Sequence, residues 1–170
     1  MVGSRWMAAG ALVCAALACA DPAVLLAPDV RGFTVDTPGH HAVGSGHVLS
    51  PAGLREFTFH ALARPQSGVA GSYKVVLASG LFFEADVTCL SVSGNTAWVG
   101  GRIRATNAAA VVVGSSSMFY AVDRGEGDGA DDQVSVAVFN AAAGTELAFC
   151  ESQPLELAVM AVTDGNVQVR

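Results

Sequence analysis

The chain has 170 residues, a formal net charge of −6, and 52% apolar against 14% charged residues. This length is enough for one domain with a hydrophobic core, and the composition excludes a disordered acidic tail. The nine lysine and arginine residues are scattered singly, so nothing predicts the basic face that nucleic-acid binding requires.

Residues 1–20 have the pattern of a secretory signal peptide. An apolar run begins after Arg5 and ends in small residues before a polar break at Asp21. The run is shorter than the ~20 residues of a transmembrane helix, and no later segment is long and apolar enough to span a membrane. We therefore expect a secreted protein, cleaved before Asp21. The alternative is a bacterial lipoprotein anchored at Cys19, whose preceding residues match a lipidation site only in part.

Residues 21–42 predict an extended N-terminal arm. Pro22, Pro28 and Pro38 divide this stretch, and proline at that density blocks a helix. The folded domain is therefore expected to occupy residues 43–170.

Alternating apolar and polar residues predict β-strands in the first half of that domain. The strands in chain order are "FTFHALA", "YKVVLA" and "FFEADVTCLSV". The third places Phe83, Ala85, Val87 and Cys89 on one face and polar residues on the other. A repeat of two residues with one polar face is typical of a half-buried antiparallel strand.

A tight hairpin and further short strands follow. In "VSGNTAWVGGRIRAT" the two-residue turn is Gly94-Asn95, because glycine and asparagine accept positive φ. The later strand candidates are "AAAVVVG", "SSMFYAVD", "DDQVSVAVF", "ELAFC", "LELAVMAV" and "GNVQVR". No stretch shows a capped 3.6-residue apolar repeat, so helices to cover a parallel sheet are lacking. The prediction is an all-β fold, a single antiparallel β-barrel or β-sandwich of roughly eight to ten strands.

The cysteines fall into two groups. Cys14 and Cys19 lie in the predicted signal peptide, whereas Cys89 and Cys150 remain in the domain. An even count in an oxidising compartment predicts a Cys89–Cys150 disulfide. Two buried free thiols are the alternative.

Several segments together resemble a family of uncharacterised secreted bacterial β-domains, the post-COAP type of C-terminal module. The matching segments are "REFTFHA", "VTCLSVSGNTAWVGGRI", "FYAVDRGEGDGADDQVSV" and "GNVQV". The resemblance runs from about Val43 to the end of the chain and is most specific in "CLSVSGNTAWVGG". It implies a secreted β-fold in which the acidic segment and the Gly94-Asn95 turn belong to the scaffold, and it implies no catalytic residues.

The acidic segment "DRGEGDGADD" is the candidate metal site. Its carboxylates are Asp123, Glu126, Asp128, Asp131 and Asp132, and calcium takes oxygen ligands from acidic, glycine-rich loops of this kind. The spacing matches neither an EF-hand loop nor a nine-residue calcium repeat. We therefore predict a hairpin connection whose carboxylates face water, with a weak calcium site as the alternative.

The histidines are weaker metal candidates. His40, His41 and His47 could ligate zinc or copper, but their spacing matches no established site. Together with His60 they are interpreted as exposed residues.

A carboxylate pair is the strongest candidate for catalysis. Glu84 and Asp86 lie on one strand face at a spacing that could serve glycoside hydrolysis. Arg102 and Arg104 on the returning strand favour a charge-paired surface instead. No nucleophile elbow is present, so no catalytic residue is predicted.

The function predicted from the sequence is a secreted, non-catalytic binding or structural module for an extracellular ligand or protein. The alternatives are a small extracellular enzyme that uses carboxylates and a lipid-anchored surface domain. No cofactor is predicted apart from calcium. The aromatic side chains are expected to fill the core rather than line a cavity, and Trp98, close to a turn, is expected to be the most exposed.

Overall fold

The computed structural model describes residues 39–51, 53–126 and 131–170. Within these ranges the chain forms nine strands and one helix. Their bounds are β1 His40–Ser50, β2 Gly53–Arg64, β3 Gly68–Leu77, β4 Phe82–Ser93, β5 Thr96–Thr106, β6 Ser116–Val122, β7 Gln133–Ser135, β8 Val138–Ala141, α1 Thr145–Ser152 and β9 Val159–Val169. The predicted all-β class is confirmed.

Eight strands close into an antiparallel barrel. Strands β1 to β6 pair in sequence order, β6 pairs with β7, β7 with β9, and β9 with β1. Strand β8 follows β7 and pairs with the first half of β6. Among the described strands, closure leaves no long free edge. The fold is therefore a barrel rather than a sandwich.

Aromatic side chains fill the barrel interior. The rings of Phe59 and Tyr73 meet that of Phe119 edge to face, at centroid distances of 5.3 and 5.1 Å. Phe57 and Phe83 are buried in the same cluster. The expectation that the aromatic side chains fill the core rather than line a cavity holds only in part, because several of these rings also line two small cavities.

A β-bulge in β4 changes the face on which Cys89 lies. Val87 pairs with Gly101 and Cys89 with Gly100, so β4 carries one residue more than β5 over this stretch. The extra residue shifts the alternation, which leaves Val87 inside the barrel and turns Cys89 to the outer face. The prediction that both share one face is therefore wrong.

Helix α1 packs on the outer face of β4, β5 and β6. It covers a second apolar cluster formed by Cys89, Trp98, Met118, Tyr120, Val122, Phe149 and Cys150. The Cys89–Cys150 disulfide is present and joins α1 to β4. The indole N–H of Trp98 donates to the carbonyl of Pro154 at 2.8 Å.

Two expectations for this region are wrong. The segment "ELAFC" is helical rather than extended, because packing of Phe149 and Cys150 on the barrel outweighs the absence of a clear helical repeat. Trp98 is only 4% exposed, because the helix and the segment after it cover the ring.

The remaining boundaries differ in part from the sequence interpretation. Gly94 has a φ of 59° in the turn between β4 and β5, which confirms the Gly94-Asn95 hairpin. The segment "AAAVVVG" lies in the connection between β5 and β6, and "GNVQVR" continues the strand that begins at Val159. Strand β1 begins at His40, inside the range predicted as the arm. The predicted signal peptide and Cys19 lie outside the described residues.

Candidate functional site

One end of the barrel carries an apolar recess. Turns of an antiparallel barrel alternate between its ends, so the β1–β2 turn, the β3–β4 turn and loop 107–115 share this end. The recess encloses about 100 Å³. Its walls include Val75, Leu77, Leu81, Phe83, Val111 and Phe139, and Arg55 is the one charged residue among them.

The recess opens between two exposed apolar residues, here called the apolar rim: Leu81 and Phe139. Leu81 and Phe139 are 39% and 43% exposed. Both also line the recess. An apolar surface that is continuous with a concave wall is the usual form of a ligand site.

Two asparagine side chains hold this end of the barrel in place. Asn140, in β8 with a φ of 62°, accepts the N–H of Val112 at 2.8 Å and donates to the carbonyl of Ala110 at 2.7 Å. Asn107 accepts the N–H of Phe82 at 2.7 Å and donates to the carbonyl of Gly80 at 3.1 Å. Loop 107–115 is thereby fastened to β8 and to the β3–β4 turn, so the recess is formed in advance of any ligand.

Arg55 lies on the inward side of β2. It has the same alternation as Phe57 and Phe59, and the exposed Leu54 and Glu56 lie on the other side. Its Nε atom is buried without a hydrogen-bond partner among the described residues. A positive charge thus stands in a mainly apolar wall.

A smaller void of about 30 Å³ lies deeper in the barrel. It shares Arg55, Val75 and Ala137 with the recess and is also lined by Tyr73. Burial raises the pKa of Tyr73, and the Ser117 hydroxyl offsets only part of that rise. Neither the Tyr73 hydroxyl nor the Ser117 hydroxyl has a hydrogen-bond partner of acceptable geometry in the described part of the chain.

Helix α1 carries a buried carboxylate, Glu146, that accepts several hydrogen bonds on the outer face of the barrel. Glu146, 1% exposed, accepts from Arg102 Nε at 2.7 Å, from the N–H of Gly144 at 2.8 Å and from the Ser116 hydroxyl. Burial raises its pKa, but the hydrogen bonds from Ser116, Arg102 and the backbone outweigh burial and lower the pKa to about 2. Its lone pairs are taken up by the protein's own donors, which indicates a structural anion.

The carboxylate pair considered for catalysis lies on the outer surface. Arg104 contacts Glu84 at 3.2 Å and Asp86 at 3.4 Å, and Lys74 contacts Glu84 at 3.0 Å. The Lys74 hydrogen bond, together with Arg104, lowers the pKa of Glu84. Arg104 is therefore the charge partner that the sequence predicted, whereas Arg102 binds Glu146 instead.

The acidic segment connects β6 to β7, which pair through Ala121 and Val134. The predicted hairpin is therefore confirmed. Asp132 is only 2% exposed, so the expectation that all carboxylates of the acidic segment face water is wrong. Asp131 is exposed, and Asp128 lies outside the described residues.

Two carboxylates of this hairpin bind backbone amides. Asp132 accepts the N–H of Arg124 and the N–H of Val167, each at 2.7 Å. Asp123 accepts the N–H of Val169 at 3.0 Å. Strand β9 pairs with β7 only over Val159–Ala161 and with β1 beyond that, so those later amides that face away from β1 need other acceptors. The two aspartates supply acceptors for the amides of Val167 and Val169. Gln168 donates to Glu126 at 3.1 Å.

Replacing Asp132 by asparagine is expected to lower the free energy of unfolding by about 2–3 kcal/mol, since a charged acceptor of two buried amides is lost. Urea denaturation of Asp132→Asn beside Asp131→Asn measures the effect. The exposed Asp131 is the matched control and should change stability by less than about 0.5 kcal/mol. Equal stability of the two variants would contradict the role of Asp132.

The histidines do not converge on a site. Across residues 39–51, 53–126 and 131–170, no group of three or more His, Cys, Asp or Glu residues is arranged to hold a metal ion. His40 and His60 are exposed, and His47 has a buried Nδ1 atom without a partner in these ranges. The calcium alternative at the acidic hairpin stays a prediction, because residues 127–130 of this segment lie outside the described residues.

Sequence reasoning missed the recess. Its walls come from β2, β3, β4, loop 107–115 and β8, which no local pattern brings together. One signal was present: in "REFTFHA" Arg55 alternates with Phe57 and Phe59, so a strand that turns its phenylalanines inward turns this arginine inward as well.

The fold and the recess define a small closed antiparallel β-barrel with an apolar opening at one end. Comparison of the chain with family models, curated proteins and solved structures gave no significant match. In the part of the chain that the structure describes, no helix has the length and apolar character needed to cross a membrane.

Proposed function

We propose that this protein is an exported, non-catalytic binding module that holds a compact apolar ligand in the end recess. The observation that carries the proposal is an apolar recess whose walls continue into exposed Leu81 and Phe139. Leaving such side chains in water forgoes about 1.5–3 kcal/mol for each one that could be fully buried. A ligand that covers them recovers part of that free energy.

The size of the recess limits the ligand. A cavity of about 150 Å³ lined by aliphatic and aromatic side chains stays dry and binds benzene. The recess, at about 100 Å³, suits one small ring or a short aliphatic chain. Because Asn107 and Asn140 already hold its walls, little conformational entropy is lost on binding.

Export is supported by two features of the chain. Residues 1–20 have the composition of a signal peptide, and the Cys89–Cys150 disulfide suits an oxidising compartment. Cleavage before Asp21 is the preferred form of this proposal, with a lipid on Cys19 as the alternative. The resemblance to secreted bacterial β-domains agrees with export.

A non-catalytic role is supported by the environment of the acidic residues. Glu84 and Asp86 lie on the outer face beside Arg104, and neither lines the recess. Glu146 is engaged by donors of its own chain.

The binding proposal is tested with 1-hexanol, a neutral apolar probe. We expect chemical-shift changes in the methyl groups of Val75, Leu77, Leu81 and Val111 as the probe is added. Phe139→Ser should raise the dissociation constant about tenfold, because much of the contact area of one aromatic ring is lost.

Leu147→Ser is the matched control, since Leu147 is 50% exposed but lies on α1 outside the recess. It should leave the dissociation constant within about twofold of the wild type. Absence of shift changes at saturating probe would contradict the proposal. So would sedimentation in which the wild type is a dimer and Phe139→Ser is a monomer, because the rim would then be buried between two copies of the chain.

A further inference from the structure

Arg55 is a charged side chain in a wall that offers it no counter-charge. Among the described residues that line the recess and the deeper void, none is acidic. Among the described ranges, no carboxylate forms an ion pair with Arg55. The other three arginines in strands are not left in an apolar wall as Arg55 is. Arg102 and Arg104 each bind a carboxylate, and Arg64 is exposed at the far end of β2.

An unpaired charge beside an apolar wall is unfavourable for folding, because partial desolvation is not repaid by an ion pair. A glutamine or methionine would suit this wall better on grounds of stability alone. An arginine at position 55 is explained if its guanidinium binds a ligand that is not part of the chain.

We propose that Arg55 binds the carboxylate of a short-chain organic acid whose apolar part fills the recess. This inference rests on the proposed function and names the class of ligand. The guanidinium is a planar fork of donors that matches the two oxygens of a carboxylate. Neighbouring apolar walls lower the local dielectric and strengthen that pair.

The same arrangement sets the selectivity. A neutral alcohol of equal chain length gains the apolar contacts and lacks the ion pair. An alkylammonium ion meets a like charge in a wall without acidic residues, so its binding is unfavourable. The order of affinity is therefore carboxylate, then alcohol, then ammonium.

Calorimetric titration of the full chain with hexanoate, 1-hexanol and hexylammonium tests this order without any substitution. Hexanoate should bind at least about tenfold more tightly than 1-hexanol, the difference expected for a charge-assisted hydrogen bond. Hexylammonium should bind most weakly.

Arg55→Gln removes the charge and Arg64→Gln is the matched control on the same strand. We expect Arg55→Gln to weaken hexanoate binding about tenfold, to leave 1-hexanol within about twofold, and not to lower the melting temperature of the free protein. Arg64→Gln should leave all three affinities unchanged.

The outcomes separate the two proposals. If 1-hexanol binds in the recess but hexanoate binds no better, the role of Arg55 is overturned and the binding module stands. If none of the three ligands binds, the proposed function itself fails. Equal weakening of hexanoate and 1-hexanol in Arg55→Gln would make Arg55 a structural residue.

Discussion

Conversion of Cys89 and Cys150 to alanine is expected to lower the free energy of unfolding by about 4 kcal/mol, the largest effect of any change considered. The disulfide joins residues separated by 61 positions, and a cross-link of that span removes much chain entropy from the unfolded state. In the folded state it also fastens α1 to β4. Denaturation in urea of the wild type and the double variant measures the difference.

Unfolding in the presence of a reductant is the control. The double variant should unfold at the same urea concentration with and without dithiothreitol, whereas the wild type should lose stability on reduction and approach the variant. Wild-type and variant stabilities within about 1 kcal/mol of each other would show that the loop-closure argument does not hold for this barrel.

Glu146→Gln is expected to lower the free energy of unfolding by about 3 kcal/mol at neutral pH. The carboxylate has a pKa near 2 in the folded chain against an ordinary value of 4.5, and a lowered pKa means that the ionised form stabilises the fold. Glutamine keeps the shape but loses the charge that Arg102 and Ser116 bind.

The pH dependence follows from the direction of that change. Because the folded pKa is lowered, the contribution is complete above pH 4.5 and is lost as pH falls from about 4.5 to about 2. The stability difference between wild type and Glu146→Gln should shrink over that window.

Glu151→Gln is the matched control on the same helix, because Glu151 is exposed. It should shift stability by less than about 0.5 kcal/mol at any pH. A Glu146→Gln difference that stays constant between pH 5 and pH 2 would contradict the assignment of Glu146 as a buried anion.

The Cys89–Cys150 disulfide and Glu146 both fasten α1 to the barrel, close to a segment that forms part of the recess. The Ser116 hydroxyl, which donates to Glu146, also lies 2.8 Å from the carbonyl of Ala142, so its one proton is shared between these two acceptors. Ala142 directly follows β8, which carries Phe139 and Asn140. The anchor of α1 therefore also holds the end of the strand that forms one wall of the recess.

Local signals predicted those parts of the fold that depend on neighbouring residues. Alternation in "FTFHALA" identified β2 and its inward phenylalanines, since side chains of a strand alternate between two faces. The Gly94-Asn95 turn followed from the backbone angles these residues tolerate. The disulfide followed from cysteine count and compartment, with no other pair left to form.

The candidate site was beyond that kind of reasoning. Arg55 and Phe139 both line the recess although they are 84 positions apart in the sequence, and no pattern within either strand refers to the other. The family resemblance and the calcium alternative at the acidic segment remain untested predictions of the sequence.

The sequence by itself determined the all-β class, the hairpin turns and the cysteine pair, because each depends on residue types within a few positions or on a count. Tertiary structure decided barrel closure, the face of Cys89, the helical state of "ELAFC", the burial of Trp98 and Asp132, and the recess around Arg55. Each of these depends on strand register and on partners far along the chain, such as Val167 for Asp132. Register is set by the packing of the whole barrel, so only the closed fold brings these groups together.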